Sequence, residues 1–448
     1  MKTLSQIAAE LQGYDPQAIS ATDVSIFLSK LVEAVTQTIE LPLMKALGRV
    51  LASDVVSPFD VPPHDNSAMD GYAFAGYQLT TQNNLTLQVV GTALAGKAWR
   101  GEVIAGQCVK IMTGAVMPEG LDTVVPQELV SVQGAAITIE AGLLQRGDNR
   151  RLRGEDLAKG LPALRKGECL TPARLGLAAS LGLPTLTTVR PLRVAYFSTG
   201  DEILSLGEAP REGAVYDSNR YTVFGMLTRM GCEVIDMGVV RDEPDLLQSA
   251  FTSAAAQADA IITSGGVSVG EADHTKAMMK KLGDVAFWRI AMRPGRPMAV
   301  GRILPADKLE PTTQSASSSG GTSRTPTPNS NGAIVFGLPG NPVAVMVTFL
   351  AFVRPALLQM MGATVPEPLL LKAHSLEAVR KKAGRTEYQR AWVSTSHNGE
   401  LQVRTAGNQG SGVLHSMAEA NGLMVLHHTQ GSVAIGEEVD VLMFDGAI

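Results

Sequence analysis

The chain has 448 residues, 45% of them hydrophobic and 5% aromatic, enough for roughly three or four domains of a soluble protein. Its 38 Lys and Arg against 43 Asp and Glu give a formal charge of −5, which supplies no basic footprint for nucleic acid. Cys108, Cys169 and Cys232 lie far apart without CxxC or Cys/His spacing, so a disulfide framework and a zinc site are excluded and a reducing cytoplasm is expected. The opening MKTLSQIAAELQGYDP carries no secretory h-region, and the longest apolar run, 343–353, is too short to cross a bilayer and stops at Arg354. A core helix and no membrane partner are expected.

The first twenty residues predict a short helix and then a loop around Pro16. Thr22 and Asp23 make a cap for VSIFLSKLVEAV, whose apolar positions recur at helical spacing, and LPLMKALGRVLASDV continues as a second helix or as helix and strand. From 52 to 145 the pattern changes to short runs, LTLQVV, QCVKIMTG, DTVVPQE and AAITIE, separated by glycine and polar turns, which predicts a β-rich domain. At its leading edge VPPHDNSAMDGYA crowds Asp65, Asn66, Ser67 and Asp70 into a loop with two prolines, and a turn-rich connector satisfies that pattern. Arg150, Arg151 and Arg153 beside Glu155 and Asp156 read as a solvated charge face, and Thr171-Pro172 opens a helix running to Leu181.

From 191 strands and helices alternate, which predicts a mostly parallel sheet. LRVAYFSTGDEI ends in Thr199-Gly200-Asp201-Glu202, and CEVIDMGVV ends in Arg241-Asp242-Glu243 before a helix opened by Pro244. DAIITSGGVSVGEADHTK is a strand, a Ser264-Gly265-Gly266 loop, an acidic turn holding Glu271 and Asp273, and the start of an amphipathic helix. AIVFGLPGNP ends in Pro339-Gly340, with Asn341 placed to cap a helix and Pro342 at its first position. One such loop is as well explained by a tight βα connection; three on neighbouring strands predict an anion site built from backbone N–H groups. Neither the Walker pattern nor GxGxxG spacing is present. Carboxylates at three strand ends beside these loops suit Mg2+, which takes one or two carboxylates and keeps its waters. WRIAMRPGRPMAV adds Arg289, Arg293 and Arg296, whose planar forks match an oxyanion or phosphate. Residues 303–332, rich in Ser, Thr, Pro and Gly, read as a disordered insertion, and after 362 the chain returns to β runs that predict a separate antiparallel domain.

Seven ordered motifs, DNSAMDGYA, IMTGA, RGED, FSTGDE, SGGVSVGEAD, PGRP and GLPGNP, resemble the molybdopterin molybdenumtransferase family, which includes the C-terminal domain of gephyrin, from about residue 22 to 445. The resemblance implies a multi-domain α/β plus β homodimer. Its parts are a two-segment linker domain (1–51 and 146–190), a β-rich domain (52–145), an α/β molybdopterin-binding domain (191–366) and a C-terminal β-barrel (367–448). It implies an active cleft between the α/β domain of one subunit and the C-terminal domain of the other. The implied reaction takes adenylylated molybdopterin and molybdate, with Mg2+, to molybdenum cofactor and AMP. Carried over motif by motif, the catalytic positions are Asp65, Thr113, Asp156, Glu202, Asp242 and Asp273, the last three also as Mg2+ ligands. The binding positions are Ser264, Gly265, Gly266, Arg289, Arg293, Arg296, Pro339, Gly340, Pro342, Arg390 and Ser411. Bacterial relatives often carry lysines at the three arginine positions. Molybdopterin adenylyltransferase and molybdoenzyme maturation factors are the partners expected; adenylyl transfer itself, or a gephyrin-type scaffold, are the competing functions.

Overall fold

The computed structural model describes residues 2–267, 274–305, 332–364 and 367–444. The predicted insertion falls largely outside these residues, as does Asp273.

Two N-terminal helices, Leu4–Ala9 and Ala21–Leu31, are capped by the side chains of Thr3 and Ser20. The cap of the second is thus two to three residues earlier than Thr22 and Asp23. Its apolar stripe, including Val24, Phe27, Leu28 and Leu31, is buried in the same core as the α/β domain, and Phe27 packs edge-on against Trp288 at 4.9 Å. LPLMKALGRVLASDV is not a helix: Thr38–Pro42 pairs antiparallel with Thr185–Val189, a 3-10 turn follows at Leu43–Lys45, and Val50 and Leu51 bridge to Cys169 and Thr188. Pro42 has no N–H to donate inside a helix, and the distant 185–189 segment offers a β partner that local spacing does not reveal.

The β-rich segment forms a six-stranded sheet in the order Thr123–Pro126, Gly71–Phe74, Gln107–Ile111, Leu85–Ala93, Ala136–Ile139, Val130–Gln133. Gly71–Phe74 extends the turn-rich connector into an unforeseen central strand, every residue of which is buried.

In the α/β domain six strands are numbered here: β1 Arg193–Thr199, β2 Glu233–Val240, β3 Ala260–Ser264, β4 Gly283–Arg289, β5 Pro297–Ile303 and β6 Ala333–Leu338. Their order is β2-β1-β3-β6-β5-β4; β2, β1, β3 and β6 are parallel, and β5 is antiparallel to both neighbours. Every residue of β3 and of β6 is buried, as near-continuous apolar runs require in a sheet covered on both faces. The helices Ser218–Arg229, Pro244–Gln257 and His274–Leu282 supply the covering layers, together with the segment 342–360. That segment is long and apolar enough to cross a membrane, but it is mostly buried within the fold and serves as a core helix.

The C-terminal strands Leu371–Ser375, Thr386–Thr395, Leu401–Thr405, Gly422–Leu426 and Glu438–Met443 close into a five-stranded barrel, because Thr386–Thr395 is long enough to pair with both Leu401–Thr405 and Gly422–Leu426. Met292–Arg293 adds to this barrel as a short parallel partner of Thr386 and Glu387. This pairing pins the arginine loop of the α/β domain to the barrel.

Candidate functional site

The connection from β1 runs outward to β2, and the chain then returns to β3 on the other side of β1. At such a reversal neighbouring loops diverge and leave a crevice beyond the carboxyl ends of the strands. A cleft of about 950 Å3 occupies this place. Thr199 and Glu202 from the end of β1, Ser264 to Val267 after β3, and Pro339 to Pro342 after β6 form one side of it. The Met292–Pro297 loop, residues 215–219 and the barrel residues Arg385, Gln409, Ser411 and Gly412 add to its lining.

The glycine loop has the form it has because no side chain fits there. Gly265 lies at φ +91°, and a Cβ on it would sit 2.2 Å from the Thr199 carbonyl oxygen. One on Gly266 would meet Thr275 at 2.5 Å. Behind the loop, the Tyr196 hydroxyl is 2.8 Å from both Ser198 Oγ and Ser264 Oγ, and Ser198 Oγ donates to Asp217 Oδ1 at 2.9 Å. Burial pushes the Tyr196 phenol upward, so it stays a neutral member of this buried hydroxyl network. Glu202 folds back toward Gly200, where a Cβ would stand 2.5 Å from its carboxylate; among the described residues that carboxylate makes no hydrogen bond or ion pair.

Arg293 and Arg296 are exposed in the cleft, and neither has an ion-pair partner among the described residues. Ser411 is held from two directions: Asn341 Nδ2 donates to its Oγ at 3.1 Å and the Val343 amide donates to its carbonyl at 3.1 Å. Asn341 therefore occupies the N-cap position as predicted, but its side chain crosses to the barrel instead of capping its own helix.

Other predicted site residues lie elsewhere. Arg390 is 1% exposed and lines a neighbouring pocket of about 280 Å3. Its guanidinium donates to Ser416 Oγ (3.1 Å) and to the carbonyls of Asn408 (2.7 Å) and Gly410 (2.9 Å), so it shapes the loop that presents Ser411. Burial, reinforced by Arg293, lowers its pKa to about 10. Asp242 stands one residue behind the glycine loop, accepting from Thr275 Oγ1 at 3.1 Å, and does not line the cleft. Arg289 does not line it either: it ends edge strand β4, exposed, with its amide donating to the Pro16 carbonyl. Asp65 and Thr113 lie with Asp70 in the loops of the β-rich domain, where Arg150, Arg153 and Asp156 of the following segment meet them, apart from the cleft of this chain. The barrel residues that line the cleft here are those of the same chain.

Among the cleft residues that escaped the sequence reading are Asp217 and Asn219, at the start of the helix Ser218–Arg229. The Asp-Ser-Asn triplet before a helical run was visible as a capping signal, and Asp217 does cap, with Oδ1 accepting from the Arg220 amide at 3.1 Å. Nothing local signals that the same residues face a cavity.

The chain matches three family descriptions in succession: "MoeA N-terminal region (domain I and II)" over 18–182, "Probable molybdopterin binding domain" over 195–359 and "MoeA C-terminal region (domain IV)" over 372–444. It is 38% identical over 421 residues to the molybdopterin molybdenumtransferase of Haemophilus influenzae, covering 93% of this chain and 97% of that protein. It belongs to the molybdopterin molybdenumtransferase family. A Nostoc protein of the same name is 34% identical over 89% of this chain and 87% of its own length. The molybdopterin biosynthesis moeA protein of Pyrococcus horikoshii OT3 superposes with a TM-score of 0.76 at 26% identity, covering 95% of this chain and all of that one. In this member of the family the cleft lies at the carboxyl edge of the segment matching the molybdopterin-binding description.

Proposed function

We propose that this chain inserts molybdenum from molybdate into adenylylated molybdopterin, releasing AMP. The observation that carries the reading is the cleft itself, which joins an amide-lined glycine loop, two arginines with no ion-pair partner among the described residues and a serine held from two sides in one cavity of about 950 Å3. Backbone N–H groups at the glycine loop and the start of the helix after Pro339-Gly340 suit the phosphate of the pterin side chain. Arg293 and Arg296 suit a tetrahedral dianion, and also the charge that develops when the phosphoanhydride is cleaved.

Mg2+ fits the residues present. Among the described residues no three His, Cys, Asp or Glu side chains cluster, and Mg2+ needs only one or two protein carboxylates beside substrate phosphate and water. Glu202, at the cleft with no protein partner among the described residues, would hold it, with Asp242 near by. When bound, the ion would offset charge on the phosphoanhydride. Protein groups supply the rest: the glycine loop orients the phosphate, and the arginines and Ser411 position molybdate.

A homodimer in the cytoplasm is part of this reading. Exposed apolar Val56, Phe59 and Leu161 at the paired Val55–Val56 and Pro162–Leu164 strands support a second copy, and three unpaired cysteines support a reducing compartment. The adenylylated substrate must come from an adenylyltransferase, and the product must pass to maturation factors of molybdoenzymes. The test supplies the protein with either adenylylated molybdopterin, molybdate and Mg2+, or molybdopterin and MgATP. AMP release in the first mixture and no adenylylated product in the second are expected; adenylylation in the second would assign the chain to the preceding step.

A further inference from the structure

Two acceptor atoms in the cleft wall have no donor among the described residues. Asp217 and Asn219 are 3% and 7% exposed, both line the cleft, and Asp217 Oδ2 and Asn219 Oδ1 are buried without a hydrogen-bond partner among the described residues. The other end of each side chain is fixed. Asp217 Oδ1 accepts from Ser198 Oγ and the Arg220 amide, and Asn219 Nδ2 donates to the Gly340 carbonyl at 2.7 Å, which leaves Oδ1 as the open end of that amide. Both side chains are thus held in place by the glycine-loop network on one side and the Pro339-Gly340 loop on the other. Leaving a buried acceptor unsatisfied is unfavourable, so this wall is complementary to something that donates.

A cation is a poor match. Asp217 is the N-cap of the helix Ser218–Arg229, where the helix end carries partial positive charge, and Arg220 follows three residues later. No third carboxylate, histidine or cysteine joins it among the described residues. Two rigid acceptors two residues apart suit a pair of neutral N–H donors on one edge of a flat heterocycle. A pterin carries such a pair in its 2-amino group and N3–H. An adenine does not, because its exocyclic amino group is flanked by ring nitrogens that accept.

We propose that Asp217 and Asn219 read the N–H edge of the pterin ring, and so decide which end of adenylylated molybdopterin enters against β1. This rests on the functional reading above and adds to it a specificity determinant that distinguishes the pterin end from the nucleotide end. Asp217 is a binding residue in this account, and Asn219 supports it with the second acceptor.

The test uses Asp217→Asn in the full chain. Asparagine caps a helix as well as aspartate and keeps an oxygen for Ser198 and Arg220, while it turns the open acceptor into a donor facing donors. Molybdopterin affinity, followed by anaerobic titration, is expected to fall about 10- to 100-fold, with AMP affinity and melting temperature unchanged. Asn219→Ala, which leaves the cap intact, is expected to lose about 3- to 10-fold and serves as the readout if Asp217→Asn melts early. Molybdopterin bound as tightly by both variants as by wild type overturns the inference. So does loss of Mn2+ binding, used as a probe for Mg2+, in Asp217→Asn with molybdopterin affinity kept, since the carboxylate would then hold metal. Failure of the wild-type protein itself to bind molybdopterin overturns the functional reading instead.

Discussion

Two polar clusters in this molecule have nearly the same composition and opposite states. Where the leading loop of the β-rich domain meets residues 150–159 the charges satisfy one another: Asp60 accepts from Arg153 Nε at 2.6 Å and the Lys159 amide at 2.7 Å, and Asp65 accepts from the Arg153 amide at 2.8 Å with Arg150 3.5 Å away. Asp70 takes both the amide and the hydroxyl of Thr113 at 2.7 Å, and Asp156 is the exception, exposed with no side-chain partner among the described residues. In the cleft the reverse holds, since Arg293, Arg296 and Glu202 find no counter-charge among the described residues and Asp217 and Asn219 each keep an open oxygen. A network that closes on itself holds loops together. One left open in a cavity is complementary to a ligand, and that contrast, more than the residue types, separates scaffold from site.

The contrast predicts which substitutions cost stability and which cost activity. The largest effect on folding belongs to a third place, the buried pair in which Arg190 donates two bonds of 2.7 Å to Asp259, itself 0% exposed. Asp259→Ala strands a guanidinium and should lower unfolding free energy by about 3–5 kcal/mol in denaturant titrations, with the cleft chemistry of the surviving folded fraction intact. Gly265→Ala should do the opposite to the contrast. Its methyl group would collide with the Thr199 carbonyl, so the loop must move, and AMP release should fall about 100-fold or more. Near-normal turnover in that variant would show that the loop's amides are idle.

Arg293 sharpens the comparison within the cleft. Arg293→Ala should weaken molybdate binding about 10- to 100-fold, the strength of a charge-assisted hydrogen bond, without moving the melting temperature. Arg293→Lys tells a two-point contact from simple positive potential, because lysine keeps the charge and loses the fork. A molybdate dependence equal to wild type in Arg293→Ala would remove this loop from the site.

The smallest effect concerns pH. The Thr113 amide and hydroxyl hold the Asp70 carboxyl below its usual value of 3.8, so its contribution to stability is present above that value and is lost as pH falls through the lower folded one. The melting-temperature gap between wild type and Asp70→Asn should therefore be constant near neutrality and shrink below about pH 4. A gap that widens on acidification would mean the Thr113 contacts do not favour the ionised form.

Much of the α/β domain was legible because its strands are short apolar runs cut off by glycine, and its helices begin at Pro244 and Pro342 as the first-turn preference of proline requires. The five barrel strands were legible for the same reason. What stayed hidden depends on contacts distant in sequence. Thr38–Pro42 is a strand only because 185–189 lies beside it, Asn341 answers to Ser411 seventy residues away, and nothing local shows that the Arg390 guanidinium turns to the carbonyls of Asn408 and Gly410. Asp217 is a helix cap; that it also walls the cleft depends on β1, β3 and β6 converging there.

Glu202 tests the central claim most directly, since it is the carboxylate at the cleft with no protein partner among the described residues. Molybdate-dependent AMP release from adenylylated molybdopterin should be measured for wild type and Glu202→Gln, with melting curves recorded on the same samples. The account predicts that glutamine leaves the melting temperature unchanged and lowers AMP release at least about 100-fold at any Mg2+ concentration near that which saturates wild type. AMP release equal to wild type in Glu202→Gln would contradict the placement of the chemistry in this cleft.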